Sequence, residues 1–137
     1  MAKHREWEFG AHRAQFEEPD LLVMKFNGPS KLEDSKKVLE ICQEVSAKGP
    51  VFVISDVSNS SIEKDARELL VAQAKAEWFR GHVYLGTGPL QRAGAKALML
   101  ALYFTGKWTV EVDFADSERE ARDLIAKKRL QPPAAKK

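Results

Sequence analysis

The sequence predicts an α/β fold: a mixed five-stranded sheet, opened by an N-terminal β-hairpin and flanked by four helices, in the order β-β-α-β-α-β-α-β-α. Three observations lead there. Short β-branched and apolar runs alternate along the chain with segments whose apolar residues return at helical spacing. Three S-x-x-E signatures, beginning at Ser30, Ser60 and Ser117, stand where helices should start. Successive β-α-β units require right-handed crossovers and a largely parallel sheet, so the opening hairpin adds an antiparallel edge.

Residues 6–17 and 21–27 are the arms of the predicted hairpin, joined by the turn composition Glu18-Pro19-Asp20. In the first arm Trp7, Phe9 and Ala11 share one parity and Ala14 and Phe16 the other, a phase change that predicts a bulge near Gly10 or His12. The second arm, LLVMKF, is apolar on nearly both faces, as a central strand should be. Ser30 with Glu33 then predicts a capped helix whose stripe is Leu32, Val38, Leu39, Cys42 and Val45, ended by Gly49-Pro50.

Val51 to Ile54 is an apolar run suited to a strand buried on both faces, and the polar segment 55–61 that follows is read as its carboxyl end and a turn. Ser60 with Glu63 predicts the next helix start, with Ile62, Ala66, Leu69, Leu70 and Ala74 inward and Arg67 off that stripe. His82 to Leu85 is a further strand, and Gly86-Thr87-Gly88-Pro89 turns into a third helix that Gly106 ends. That helix, 90–104, is apolar over most of its circumference, so it should be buried on the sheet, with a homo-oligomer contact through a second copy as a further expectation. Val110, Val112 and Phe114 alternate with acids as a half-exposed strand, and Ser117 with Glu120 caps a final helix carrying Ala121, Leu124 and Ile125.

At 137 residues the chain has the size of one domain and can hide roughly two-thirds of its extended surface on folding. The domain is expected over residues 6–130, with a disordered basic tail at 131–137. Lys127, Lys128, Arg129, Lys136 and Lys137 fall in the last eleven positions, which hold no acid, so the overall charge of +2 leaves residues 1–126 at −3. A mildly acidic body argues against a nucleic-acid partner, which needs a concentrated basic patch, and the basic end is read as a solubility feature. Cys42 is the only cysteine, which excludes an internal disulfide and a cysteine-based zinc site and fits a reducing compartment. The longest nearly apolar stretch, 93–104, is interrupted by Lys96 and is too short for a membrane span, so a cytoplasmic location is expected.

The opening hairpin, the capped helix, the strand ending in Asp56-Val57-Ser58, the serine-rich turn and the helix bearing Arg67 together resemble the STAS domain. The likeness is to its SpoIIAA-like branch, related to bacterial anti-sigma factor antagonists. It spans residues 6–130 by element order, and its local motifs are short. In regulatory members a strand ends in Asp-x-Ser, and an Asp-Ser-Ser-Gly motif at the next helix start carries a serine phosphorylated by a partner kinase. Asp56 and Ser58 match the first motif. In the second, Ser60 and Ser61 are followed by Ile62 and Glu63 where the family would place Ser and Gly. The resemblance implies a non-enzymatic regulatory or scaffold domain that binds another protein. It also admits a small carrier of an apolar, lipid-like ligand, since relatives resemble lipid-carrier domains.

The expected partner-binding surface is Asp56, Ser58, Asn59, Ser60, Ser61 and Arg67, with Ser60 and Ser61 as phosphoacceptors facing a helix N-terminus. Plain helix capping is the simpler explanation of the same serines and the one favoured on the residues alone. Gly86, Thr87, Gly88 and Arg92 form a candidate anion site at the third helix start, although two glycines there also satisfy the turn alone. His4, His12 and His82 are too scattered for a metal motif, no G-x-S-x-G elbow occurs, and Cys42 on an apolar stripe reads as a buried thiol. No metal, cofactor or catalytic centre is expected. Trp78, Phe79, Tyr103, Phe104 and Trp108 gather at the ends of the second and third helices, where they would pack the core, line an apolar pocket or form an interface.

Overall fold

The computed structural model describes residues 4–86, 88–104 and 110–130. Six strands form one sheet in sequential order: β1 (His4–Phe9), β2 (His12–Glu17), β3 (Leu21–Ser30), β4 (Val51–Ile62), β5 (Phe79–Leu85) and β6 (Val112–Ala115). The first three run antiparallel, and β3 to β6 run parallel. The helices are α1 (Leu32–Val45), α2 (Lys64–Gln73), α3 (Pro89–Tyr103) and α4 (Glu118–Leu130). Because consecutive parallel strands step in one direction across the sheet, right-handed crossovers put α1, α2 and α3 on the same face. The opposite face is left to α4.

The sheet has six strands where five were expected, because residues 6–17 are two strands and not one. Gly10, at φ +62°, and Ala11 make a tight turn that pairs Phe9 with His12 and Trp7 with Ala14. The parity change was real, but it marks a reversal of the chain in place of a bulge. His12 holds this corner. Its buried ring accepts the Asn27 N–H at Nδ1 (3.0 Å), and Nε2 lies 3.3 Å from an Asp34 carboxylate oxygen on α1. The bonded Asn27 sits where the β3–β4 register shifts, between Lys25 and Asn27.

The second correction concerns β4, which continues through the serine-rich segment to Ile62. Asn59, Ser60, Ser61 and Ile62 pair with Asn27, Gly28, Pro29 and Ser30 of an equally extended β3. Ser60 is therefore a strand residue and caps nothing; α2 begins three residues after Ser61, and the Glu63 N–H donates to the Ser30 carbonyl (3.0 Å). At α1 the capping contact is shifted by one residue from the expected pair, since the Asp34 carboxylate accepts the Lys31 N–H (2.9 Å). At α4 the expected pair forms, with the Glu120 N–H donating to Ser117 Oγ (3.1 Å).

Strand alternation divides the core in two. Leu22, Met24, Val51 and Val53 meet Val38, Ile41 and Cys42 of α1 on one face. Leu21, Phe52, Ile54, Val83 and Leu85 meet Ala121 and Ile125 of α4 on the other. Acids and bases also tie α4 down: Arg122 grips Glu17 with two bonds (2.8 and 2.7 Å), Arg129 pairs with Asp20, and Lys128 pairs with Glu111 and Asp113. Lys128 and Arg129, read from the sequence as solubility charges, are thus fasteners between α4 and the sheet. The expected tail, 131–137, lies outside the described residues, as do Gly106 and Trp108.

Candidate functional site

On the face crossed by three helices the packing is uneven. Helix α1 buries Val38, Leu39, Ile41 and Cys42, whereas α2 fully buries only Ala66. Between this face of β4 and β5, the flank of α1 at Val38 and Cys42, and the small or half-buried residues of α2 and α3 (Leu70 and Ala74, Ala93 and Gly94) lies an open cavity of about 590 Å³. It lies along the helix-covered face of the sheet, from Phe79 at the start of β5 to Ser61 near the end of β4, and its size falls within the roughly 300–1,000 Å³ of small-molecule sites.

The cavity floor comes from period-two alternation: Val53, Ser55 and Val57 on β4, His82 and Tyr84 on β5. Ser55, 2% exposed, and His82 lie on adjacent strands with Ser55 Oγ 2.8 Å from His82 Nε2. Burial lowers the His82 pKa to about 4, so the imidazole is neutral at physiological pH. The Tyr84 ring stacks on His82 (centroids 4.4 Å apart) and on Phe114 (5.9 Å), and burial pushes its phenol up to about 12. It remains a protonated donor. Cys42, also on the wall, is pushed up to about 12 by burial, which makes it an unreactive thiol as its place on the apolar stripe suggested.

Two charged side chains reach the lining, Asp34 and Arg67. Asp34 is engaged by the Lys31 N–H and lies beside His12. Arg67 is half-buried and, among the described residues, its guanidinium makes no hydrogen bond or ion pair.

The residues singled out from the sequence divide between the cavity and the rim beside it. Ser60, Ser61 and Arg67 line the cavity; Asp56, Ser58 and Asn59 do not. Asp56 Oδ1 accepts both the N–H (3.0 Å) and the Oγ–H (2.7 Å) of Ser58, and the Asn59 amide donates to Asn27 (2.7 Å). The Ser60 hydroxyl donates to the Val57 carbonyl (3.2 Å), while Ser58, Asn59 and Ser61 face solvent.

In the glycine turn, Gly86 has φ +69° and a close neighbour: a Cβ there would collide with the Ser58 side chain and lie 3.0 Å from its Cα. A steric requirement therefore accounts for this glycine. Thr87 lies outside the described residues, and Arg92 places its guanidinium 5.1 Å over the Phe114 ring. Trp78 and Phe79 join the cavity wall, while Tyr103 and Phe104 are exposed.

Sequence reasoning missed Ser55, His82 and Tyr84. The available signal was a polar side chain directed inward in each of two buried strands, since buried polar groups are the informative exceptions in a core.

No protein-family model matches the chain, and no curated protein matches it. Solved structures do. An uncharacterized protein of the DUF3478 family with a SpoIIAA-like fold, from Shewanella loihica PV-4, superposes with a TM-score of 0.60 at 19% identity, covering 90% of this chain and 94% of that one. The anti-sigma factor antagonist SpoIIAA in its unphosphorylated form superposes with a TM-score of 0.58 at 16% identity, covering 85% of this chain and 98% of that one. Both likenesses span nearly the whole of each molecule, and the chain has a SpoIIAA-like α/β fold.

Proposed function

We propose that this chain holds a small, largely apolar molecule in the cavity between its sheet and α2 and α3, as a carrier or sensor, and carries out no reaction on it. The observation that supports this reading is the cavity of about 590 Å³, mostly carbon-lined, with a few convergent polar groups on its floor. Apolar burial would supply affinity, at roughly 25 cal/mol per Å² removed from water, and the Ser55–His82 pair and the Tyr84 hydroxyl would orient whatever polar atom the ligand carries. Catalysis by Ser55 is disfavoured. A serine nucleophile needs N–H donors aimed at the developing oxyanion, and Ser55 sits mid-strand between β3 and β5, where the neighbouring amides belong to the ladders.

The test is displacement of a neutral fluorophore, N-phenyl-1-naphthylamine, from the whole chain, with native mass spectrometry of the protein as purified. Saturable binding that Leu70→Trp abolishes without shifting the urea midpoint downward is the expected result. Absence of saturable binding in the unmodified chain overturns the reading.

A second reading, recognition of another protein or of a second copy, draws on α3. Leu100 and Phe104 are 56% and 86% exposed and stand one turn apart, so they share a face beside the half-exposed Tyr103. On this reading the rim residues Asp56, Ser58 and Asn59 would report cavity occupancy to a partner, with Ser60 or Ser61 open to modification.

A further inference from the structure

We infer that the ligand is an amphiphilic anion, a carboxylic acid with an apolar body, and that Arg67 binds its carboxylate. This rests on the cavity being a ligand site, and it names the chemistry that site would select.

The argument begins with an unpaired cation. Arg5, Arg13, Arg80, Arg122 and Arg129 each approach a carboxylate within this chain. Arg67 does not, although it is more enclosed than several of them and lines an apolar cavity. A guanidinium removed from bulk water without a counter-charge is costly, so a half-buried arginine on an apolar wall is a site that an incoming anion stabilises.

The chain's own acids do not answer that need. Asp34, the other charged lining residue, is held at the Lys31 N–H and beside His12, and Glu63, Asp65 and Glu68 around Arg67 on α2 are exposed and form no ion pair with it.

The shape of the demand then fixes the ligand class. A planar guanidinium matches a carboxylate with two parallel N–H donors. One cation calls for one negative charge. Ser61, exposed on the same lining, adds a hydroxyl, while Val53, Val57 and Leu70 offer only apolar contact to the remainder of the ligand. The Ser55–His82 pair brings no net charge to the floor, so it neither competes with Arg67 for the anion nor repels an aliphatic chain.

Matched ligands differing only in the head group test the inference. Dodecanoate and 1-dodecanol are titrated against the full chain loaded with the same neutral fluorophore, using the unmodified protein, Arg67→Met and Arg67→Lys. The unmodified chain should prefer the acid by at least about tenfold, the scale of one charge-assisted hydrogen bond. Arg67→Met should abolish that preference and keep the dodecanol affinity within about threefold, which also shows that the variant is folded and its cavity intact. Arg67→Lys, retaining charge but not the two-pronged geometry, should keep part of it. Equal binding of acid and alcohol by the unmodified chain overturns the inference, as does a preference that survives Arg67→Met; in both cases the cavity reading stands. If the fluorophore binds but neither compound displaces it, this inference falls and the cavity reading stands; if the fluorophore itself does not bind saturably, both fall.

Discussion

Acidification should weaken this protein through one identifiable side chain. His82 is held in the cavity wall with its pKa lowered to about 4, against about 6.5 in an unfolded chain, and loss of hydration is the cause. Between those values the unfolded chain binds a proton that the folded chain refuses. Stability therefore rises with pH across this window and is lost on acidification through it. From pH 7 to 4.5, a shift of this size removes about 2 kcal/mol, an upper value because the cavity opens to solvent.

Other groups titrate over the same range, so the measurement is a difference of differences: urea unfolding of the unmodified chain and of His82→Gln, each at pH 7 and pH 4.5. Glutamine retains a polar group for Ser55 but has nothing to titrate. The unmodified chain should lose about 2 kcal/mol more than the variant over this interval, and the His82 ring proton should titrate near pH 4 by NMR. Identical pH slopes, or a ring that titrates near 6.5, would refute the claim that this wall is desolvated.

Three further outcomes follow from the geometry. Ser117→Ala removes a helix cap and should cost about 1 kcal/mol, whereas Ser60→Ala, in a strand, should fall within about 0.5 kcal/mol of the parent by urea unfolding. Gly86→Ala combines a positive φ with a collision at Ser58 and should destabilise by about 1–3 kcal/mol in the same assay, only part of which Ser58→Gly would restore. If α3 mediates self-association, sedimentation velocity will show a concentration-dependent dimer that Phe104→Glu converts to monomer; a monomer at all concentrations removes that role.

What the sequence made legible were the features governed by local physics. The LLVMKF and VFVI runs could only be central strands, and the helical spacing of Val38, Leu39 and Cys42 could only face a sheet. The order of elements with right-handed crossovers then implied a largely parallel sheet with an antiparallel edge, while the sequential strand order is set by the pairing itself. The errors arose where distant pairing overrode composition. The segment 55–61 has the residues of a turn, yet it is a strand because β3 extends beside it through Pro29 and Ser30 and supplies the ladder. The same override moved the start of α2 from Ser60 to Lys64. In the hairpin, a parity change can signal either a bulge or a two-residue reversal, and only the pairing of Phe9 with His12 decides between them.

The cavity was harder to read because it is made of volume that side chains do not fill. Ala66, Leu70 and Ala74 make a correct helical stripe, and the same pattern would serve a tightly packed helix. What differs is that small residues on α2 and α3 face a stretch of sheet carrying Ser55 and Val57, so two shortfalls in volume oppose each other. In a closed core, unfilled space costs stability, on the order of 24 cal/mol per Å³, and larger aliphatic side chains would remove that cost. The opposite face is filled: Phe52, Ile54, Val83 and Ile125 close it, and ion pairs from α4 secure it. One sheet thus carries a sealed side and an open side. The fold explains the sealed side; on the proposed function a ligand completes the open one.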